Sequence, residues 1–306
     1  MIIPPYLQQG DTIGICCPAG SLSVETIQPM ITQLEFWGFE VKIGKTIGTN
    51  YHKFSGTDAT RLQDFQEMLD DDNIKAILFG RGGYGFVRII DFVNFEKFIN
   101  NPKWLLGFSD ITVLHNHVNT NFNIATIHAH MSGGYLAKEF DNDSTMSIYY
   151  ALTGKPSEYS IPTSKNSEIN SCRGELIGGN LATLVNLIGT PSDVNTNGKI
   201  LVIEDVGEQI YNVDRMMWQL FRAGKLDHLA GLVVGGFTDA KDDKENPFGK
   251  NEYEIIWEKV SLYQYPVCFG FPVGHQAKNM ALKFGVEHEL RIEEDRIVLQ
   301  EILPTE

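Results

Sequence analysis

The chain has 306 residues, with 25 Lys and Arg against 39 Asp and Glu, so its formal net charge is −14. Hydrophobic residues make up 42% and charged residues 21%, which is typical of globular proteins and excludes a disordered, collagen-like or coiled-coil chain. Because an acidic chain without a Lys/Arg cluster repels phosphates, we expect no nucleic acid and no anionic membrane among its partners.

The cysteines and the start of the chain bear on the compartment. Of the four cysteines, Cys16 and Cys17 are adjacent and no Cys-x-x-Cys pair occurs, so the sequence predicts free thiols and neither a zinc ribbon nor a redox motif. No basic region followed by an apolar core of signal-peptide length opens the chain, and no apolar run reaches the ~18 residues of a membrane span. These features favour a cytoplasmic protein.

Apolar runs and helical spacings alternate through the first half. Short, nearly continuous apolar runs predict buried parallel strands, and the stretches between them carry helical spacing or Gly-rich turns. In order, we expect strand 12–17, helix 23–37, strand 39–43, helix 59–69, strand 74–79, loop 80–85, a helix through about residue 92, and strand 104–108. The alternation predicts an α/β domain over residues 1–155, with a parallel sheet covered on both faces.

The composition changes between residues 156 and 172, where Pro, Ser and Thr replace apolar periodicity, as is typical of a linker. Beyond it, a Gly-led loop enters a helix within 176–187, and strands are expected at 199–204, 231–235 and 266–271. The tail at 281–301 alternates around the acidic turn 293–295, which predicts an antiparallel hairpin. We therefore expect a β-rich α+β domain over residues 173–306.

The segment Gly-Phe-Ser-Asp at 107–110 lies between a predicted strand and a predicted helix. A serine at such a turn projects its hydroxyl outward beside a helix N-terminus, where N–H groups favour negative charge. This arrangement suits a nucleophile, Ser109, next to an oxyanion site. The local sequence is equally compatible with Ser109 and Asp110 simply capping the helix.

The loop Gly-Arg-Gly-Gly-Tyr-Gly at 80–85 follows the preceding predicted strand. Its glycines let the backbone approach a ligand and direct N–H groups at an anion, although it is not a Walker loop. If the two strands are neighbours, both loops leave the same edge of the sheet. The amide of Gly82 or Gly83 is then placed to act as a second oxyanion donor, and a phosphate cradle is the alternative.

A serine nucleophile needs a base and an acid that orients it. His275 ends a strand that breaks at Pro and Gly, which exposes the imidazole, and Glu204 ends a buried strand where a carboxylate needs a donor. Either Glu204 or its neighbour Asp205 instead suits the capping of a turn. A second hypothesis is a metal site in which His128 and His130 form an i, i+2 pair with His115 or His117.

Five motifs occur in one order: GRGGYG at 80–85, GFSD at 107–110, GGNL at 178–181, VIED at 202–205 and GFPVGH at 270–275. Together they resemble the LD-carboxypeptidases, serine peptidases also called muramoyltetrapeptide carboxypeptidases. No single motif is specific, but five in order at these spacings are. The resemblance covers nearly the whole chain, from the opening strand to the closing hairpin.

The resemblance implies a fold and an activity. The fold is a flavodoxin- or amidotransferase-like three-layer sandwich carrying the nucleophile, followed by a β-rich domain carrying a Glu and a His. The activity is hydrolysis of the amide bond that releases the terminal D-Ala of murein tetrapeptide during cell-wall recycling in the cytoplasm. It also implies a homodimer, and we expect no metal and no other cofactor.

The resemblance also implies residue roles. Ser109 is the nucleophile, His275 the base and Glu204 its orienter, while the oxyanion donors are the backbone N–H groups of Gly83 and Asp110. Asn180 of GGNL corresponds to a pocket residue. On physical grounds alone, Arg81 is a candidate to bind the terminal carboxylate of the substrate.

One departure from the family pattern and two alternatives stay open. The segment 128–131 (HAHM) stands where relatives often show a His-Gly-Pro-like turn. A neighbouring subfamily with the same triad degrades peptidyl-nucleotide antibiotics, usually with an added loop bearing an aromatic residue, and no such insertion is evident between residues 130 and 172. The other alternative is a non-catalytic module that binds a carboxylate or phosphate. Replacing Ser109 separates an enzyme from a binder.

Overall fold

Two sheets organise the part of the chain that the structure, a computed structural model, describes: residues 1–131, 142–162 and 170–303. The strands are β1 (Thr12–Cys16), β2 (Glu40–Ile43), β3 (Ile74–Phe79), β4 (Trp104–Gly107), β5 (Thr126–His128), β6 (Glu158–Pro162), β7 (Asn170–Asn180), β8 (Ile200–Val206), β9 (Gly231–Thr238), β10 (Val267–Phe269), β11 (Leu282–Phe284), β12 (Glu287–Ile292) and β13 (Arg296–Glu301). The α-helices are α1 (Val24–Phe36), α2 (Asp58–Asp70), α3 (Glu96–Asn100), α4 (Thr112–Phe122), α5 (Asn142–Thr153), α6 (Leu181–Asn186), α7 (Ile210–Arg222) and α8 (Glu252–Val260).

The first sheet has the order β11-β5-β4-β3-β1-β2, and its strands β1 to β5 run parallel. Successive strand residues point to opposite faces, so each face gathers its own core. Ile15 of β1 packs in one cluster with Met30 of α1, and Phe79 of β3 packs in another with Phe65 of α2. Helices therefore cover both faces, and the predicted three-layer α/β sandwich is confirmed.

Between Gly85 and Val93 the expected helix is replaced by two 3₁₀ turns, Phe86–Arg88 and Ile90–Phe92. The amide of Ile89 donates to the carbonyl of Phe86, and the amide of Phe92 donates to Ile89, so the bonds span three residues. The prediction of a continuous helix through residue 92 is wrong, because apolar spacing over so short a stretch does not separate the two helix types.

The second sheet has the order β10-β9-β8-β7-β12-β13-β6. Strands β7 to β10 pair in parallel, and β12, β13 and β6 add antiparallel pairings. The predicted terminal hairpin is confirmed as β12 and β13, which pair from Ile292 with Ile297 to His288 with Glu301. Helices α6, α7 and α8 contribute to one core with the parallel strands, so this half is β-rich with helices on the sheet, as predicted.

Two features bear on the predicted domain division. Residues 158–162 of the predicted linker form β6, which pairs with β13, while residues 163–169 of that linker lie outside the described residues. Strand β11, from the predicted C-terminal domain, pairs antiparallel with β5 of the first sheet. The boundaries 1–155, 156–172 and 173–306 stay a prediction.

In the described part of the chain, no helix combines the length and the apolar character that crossing a membrane requires.

The end of β7 packs on the start of α4 and so joins the two sheets. The Asn116 side chain donates to the Gly178 carbonyl (3.0 Å), and the amide of Asn180 donates to Thr112 Oγ1 (3.0 Å). Between these bonds, Gly179 lies so close that a Cβ there would be 2.4 Å from Thr112 Oγ1. This contact holds the second sheet against the helix that follows Ser109.

Candidate active site

Ser109 lies at the predicted sharp turn between β4 and α4. Its φ is +63°, in the left-handed region that non-glycine residues rarely adopt. Gly107 allows the turn to close, because a Cβ there would be 2.9 Å from Ile111 Cγ1. A strained serine held between a buried strand and a helix resembles the geometry that presents a nucleophile, and such strain concentrates at functional sites.

The glycine loop at 80–85 lies against this turn, since β3 and β4 are neighbours. A Cβ at Gly82 would be 3.1 Å from Ser109 Cβ and 3.3 Å from the Asp110 nitrogen. The Gly82 carbonyl accepts a hydrogen bond from Gly20 (2.8 Å). Because every described peptide bond is trans, the Gly83 N–H points opposite to that carbonyl, away from Gly20. Gly83, Ser109 and Asp110 all line one cavity.

Glu204 and His275 form a hydrogen-bonded pair. The fully buried Glu204, near the end of β8, accepts from His275 Nδ1 (2.6 Å) and from the His275 backbone nitrogen (3.1 Å). Gly274, at φ +102°, makes this approach possible, because a Cβ there would be 2.5 Å from Glu204 Oε2. With Nδ1 donating to the carboxylate, Nε2 of the neutral ring carries the free lone pair, which a general base needs.

The Phe108 ring connects this pair to the Ser109 turn. Its centroid is 4.7 Å from that of the His275 ring, and Phe108 directly precedes Ser109. The fold thus brings His275 beside the Ser109 turn, although the two residues are 166 positions apart in the sequence.

A cavity of about 380 Å³ opens at Ser109, within the size range of small-molecule sites. Its lining combines the glycine loop and the start of α4 with residues of the second half. The lining residues are Gly83, Tyr84, Val87, Ser109, Asp110, Val113, Asn180, Ala182, Thr183, Asn186, Asp205, Val206 and Glu208.

Asn180 and Asp205 form the buried polar wall of this cavity. Asn180 caps α6, its Oδ1 accepting from the Thr183 amide (3.1 Å), and its Nδ2 donates to Asp205 Oδ1 (2.9 Å). Asp205 also accepts from the Ala182 amide (2.9 Å) at the start of α6, a bond between residues 23 positions apart. Burial raises the pKa of Asp205 to about 6, while the hydrogen bonds from Val206 and Asn180 oppose that shift.

The residues that line the cavity differ in part from those predicted from the sequence. Arg81 is exposed, donates to the Ser21 carbonyl (2.9 Å) and is not among the described residues that line the cavity. Conversely, Tyr84, Thr183 and Glu208 line it and were not singled out from the sequence. Their position next to the motifs GRGGYG, GGNL and VIED was the available signal.

The histidines of the metal hypothesis lie in or beside the core. His128 is fully buried on β5, and His115 Nε2 contacts the Gly107 carbonyl (2.8 Å). Burial lowers the pKa of His115 to about 4 and holds the pKa of His128 well below its ordinary value. Within residues 1–131, 142–162 and 170–303, no three His, Cys, Asp or Glu side chains converge in a way that could hold a metal ion.

An α/β sandwich, a strained serine and a half-buried imidazole paired with a buried carboxylate are features that many hydrolases share. Two family models match the chain: the LD-carboxypeptidase N-terminal domain over residues 13–129 and the LD-carboxypeptidase C-terminal domain over residues 173–290. The chain belongs to the LD-carboxypeptidase family, as its motifs predicted, and it is a peptidase.

Known proteins similar to this chain include two murein carboxypeptidases and an immunity protein. The probable murein peptide carboxypeptidase of Bacillus subtilis is 32% identical over 97% of this chain and 94% of its own. The crystal structure of muramoyltetrapeptide carboxypeptidase from Oxalobacter formigenes covers 96% of this chain and 100% of its own, with 26% identity and a TM-score of 0.87. The microcin C7 self-immunity protein MccF of Escherichia coli is 26% identical over 98% of this chain and 96% of its own.

Proposed function

We propose that this peptidase is a serine LD-carboxypeptidase that removes the terminal D-Ala of murein tetrapeptide. The observation that carries the proposal is the His275–Glu204 pair placed beside the strained Ser109 turn. Relatives named murein peptide and muramoyltetrapeptide carboxypeptidase support the substrate.

In the proposed mechanism, Ser109 Oγ attacks the carbonyl carbon of the scissile amide while His275 Nε2 takes its proton. Glu204 fixes the ring through Nδ1 and stabilises the imidazolium that forms. The N–H groups of Gly83 and Asp110 hold the oxyanion. His275 then protonates the nitrogen of D-alanine as the amide bond breaks. In the second half of the reaction His275 takes a proton from water as the water oxygen attacks the acyl carbon, and it returns this proton to Ser109 Oγ as the ester bond breaks.

Substrate binding is proposed for Asn180, which lines the cavity, and for Arg81, which lies on the glycine loop but does not line it. The terminal carboxylate of the peptide needs a donor in a chain whose net charge is −14. Arg81 sits on the glycine loop two residues before Gly83, and we assign it this role. Asn180, held by Asp205 and Thr183, is a rigid polar contact for the peptide backbone.

The test is mass spectrometry of a murein tetrapeptide ending in D-Ala, incubated with the protein beside the same peptide ending in L-Ala. We expect loss of D-Ala only. Ser109→Ala should reduce the rate by several orders of magnitude at unchanged fold, measured by circular dichroism. A Ser109→Ala variant as active as the parent would contradict the serine mechanism, and a parent inactive on both peptides would contradict the substrate.

A second candidate, hydrolysis of a peptidyl-nucleotide amide, is favoured by the similarity to the microcin C7 self-immunity protein over 98% of this chain. The same assay with an aminoacyl sulfamoyl adenosine separates the two functions. Release of the amino acid from this compound, with the tetrapeptide left intact, would replace the murein assignment.

The assembly and the compartment belong to the same proposal. We propose a homodimer acting in the cytoplasm, where recycled murein peptides are processed. Light scattering coupled to size-exclusion chromatography should give twice the chain mass of 34.3 kDa. A mass of one chain at micromolar concentration would count against the dimer.

A further inference from the structure

The backbone N–H of Asp110 is a proposed oxyanion donor, whereas its side chain binds the end of the glycine loop. The residue is 5% exposed, and its Oδ2 accepts a hydrogen bond from the Phe86 amide (2.8 Å). Burial raises the pKa of this carboxyl, while hydrogen bonds from the Phe86 and Gly85 amides oppose the shift. The residue after the proposed nucleophile therefore binds the end of the glycine loop.

Arg61 of α2 binds the carbonyl of the same peptide group, the one between Gly85 and Phe86. Its side chain is completely buried, and Nη1 donates to the Gly85 carbonyl (2.9 Å) and also to the Pro18 carbonyl. The peptide between Gly85 and Phe86 is thus held at both ends, its oxygen by a cation and its N–H by an anion. Charge-assisted bonds of this kind are about twice as strong as neutral ones.

This double hold fixes the distance between two backbone segments. Gly83 lies two residues before the clamped peptide, and Ser109 directly precedes Asp110. Gly85 has φ +136°, and a Cβ there would be 2.9 Å from the Phe54 ring and 3.1 Å from Arg61 Nη1. The end of the loop therefore has little freedom to move relative to the Ser109 turn.

We propose that Asp110 and Arg61 are positioning residues that set the spacing between the Gly83 and Asp110 N–H groups, the two donors of the oxyanion site. The inference rests on the proposed function and deepens it. Oxyanion donors act only when they lie about 2.7–3.1 Å from the developing negative charge, so a shift of the loop lowers the rate without loss of substrate affinity.

The test compares Asp110→Asn with Asp64→Asn as a matched control. Asp64 is also buried and also accepts loop amides, from Lys45 (2.8 Å) and Thr46 (2.9 Å), but it is not among the residues lining the cavity. Both variants should lose similar thermal stability. Asp110→Asn should lower kcat by ~10–100-fold with KM changed less than twofold, and Asp64→Asn should leave both unchanged. Arg61→Lys, which keeps the charge but not the fork, should lower kcat by ~10-fold and serves if Asp110→Asn does not fold.

A second readout does not depend on the identity of the substrate. A fluorophosphonate probe labels an activated serine through an oxyanion-like transition state, and intact-mass spectrometry follows the rate. We expect labelling of the parent and Asp64→Asn at equal rates, slower labelling of Asp110→Asn and Arg61→Lys, and none of Ser109→Ala. Slowing confined to these two variants supports the inference even if the parent leaves murein tetrapeptide intact.

Three outcomes would overturn the inference. In the first, Asp110→Asn and Asp64→Asn have equal kcat and equal labelling rates. In the second, the loss in Asp110→Asn falls entirely on KM, which would make the carboxylate a binding group. In the third, the parent neither cleaves the peptides nor reacts with the probe, which removes the proposed function as well.

Discussion

At the residue scale, burial in the cavity wall disfavours the ionised form of the Asp205 carboxyl. The residue is 3% exposed, and burial raises the pKa of its carboxyl from 3.8 to about 6 despite the hydrogen bonds that it accepts. The folded protein therefore binds this proton more tightly than the unfolded chain does. Between pH 4 and 6, ionising Asp205 costs folding free energy, and this cost is absent below both pKa values.

We predict that Asp205→Asn removes this pH dependence. Relative to the variant, the parent should lose about 2 kcal/mol of unfolding free energy as the pH rises from 4 to 7, because a pKa unit corresponds to 1.36 kcal/mol and the unfolded carboxyl is already about half ionised at pH 4. Urea unfolding of both proteins at unit pH steps measures the difference. A difference that is flat across this range would contradict the raised pKa.

At this scale the sequence predicts which residues belong to the candidate site, but it does not predict which residues they are hydrogen-bonded to. Short motifs led to the prediction of Ser109, Glu204 and His275, and the structure places the Glu204–His275 pair beside the Ser109 turn. The hydrogen bond between Asp110 and Phe86 joins residues 24 positions apart, and no local pattern specifies it. The exposed position of Arg81 likewise depends on how the loop folds back on Ser21.

At the element scale, the contact between β7 and α4 fixes the end of the second sheet's strand against the helix that follows the Ser109 turn. Gly179 has φ +124° and no space for a Cβ beside Thr112. Thr112 is the first residue of the helix that follows the Ser109 turn. A side chain added at Gly179 would therefore press on Thr112, which lies three residues after Ser109.

We predict that Gly179→Ala lowers both stability and activity, whereas Gly189→Ala lowers stability alone. Gly189 also has a positive φ (+80°), but nothing lies within 4 Å of its Cβ position, so it reports the backbone penalty of ~1–2 kcal/mol. Gly179→Ala adds a steric cost of ~1–3 kcal/mol. Urea unfolding and peptide hydrolysis on both variants test this, and equal effects would show that the contact carries no strain.

Elements with long, regular patterns were predicted well. The strands β1, β3, β8 and β9 were expected within a few residues of their bounds, because continuous apolar runs are an unambiguous signal. Strand β11 has only three residues, and it pairs with β5 although more than 150 positions separate them. Its partner depends on tertiary packing, which periodicity does not encode.

At the scale of the whole molecule, a buried ion pair joins the two sheets. Lys283 of β11 lies 3.1 Å from both carboxylate oxygens of Glu301 of β13, and Lys283 is completely buried. Glu301 also accepts a hydrogen bond from the Ser157 amide (3.0 Å). Removing one partner leaves the other as an uncompensated buried charge.

We predict that Lys283→Met lowers the free energy of unfolding by ~3–5 kcal/mol. Lys283→Met combined with Glu301→Gln should recover most of this loss, since the neutral amide still accepts from Ser157 and no charge stays unpaired. Guanidinium unfolding of the parent, both single variants and the double variant gives the coupling. A double variant no more stable than Lys283→Met would contradict the desolvation argument.

Because the antiparallel strand β11 lies late in the sequence, the first sheet is completed late during synthesis. The ribosome makes β1 to β5 early, but the sheet that they form gains its sixth strand only when residues 282–284 have emerged, after most of the second sheet. His275 arrives at nearly the same moment. A nascent chain stopped before residue 270 carries Ser109 and Glu204 without β11 and without His275, so the proposed Glu204–His275 pair is complete only as synthesis ends.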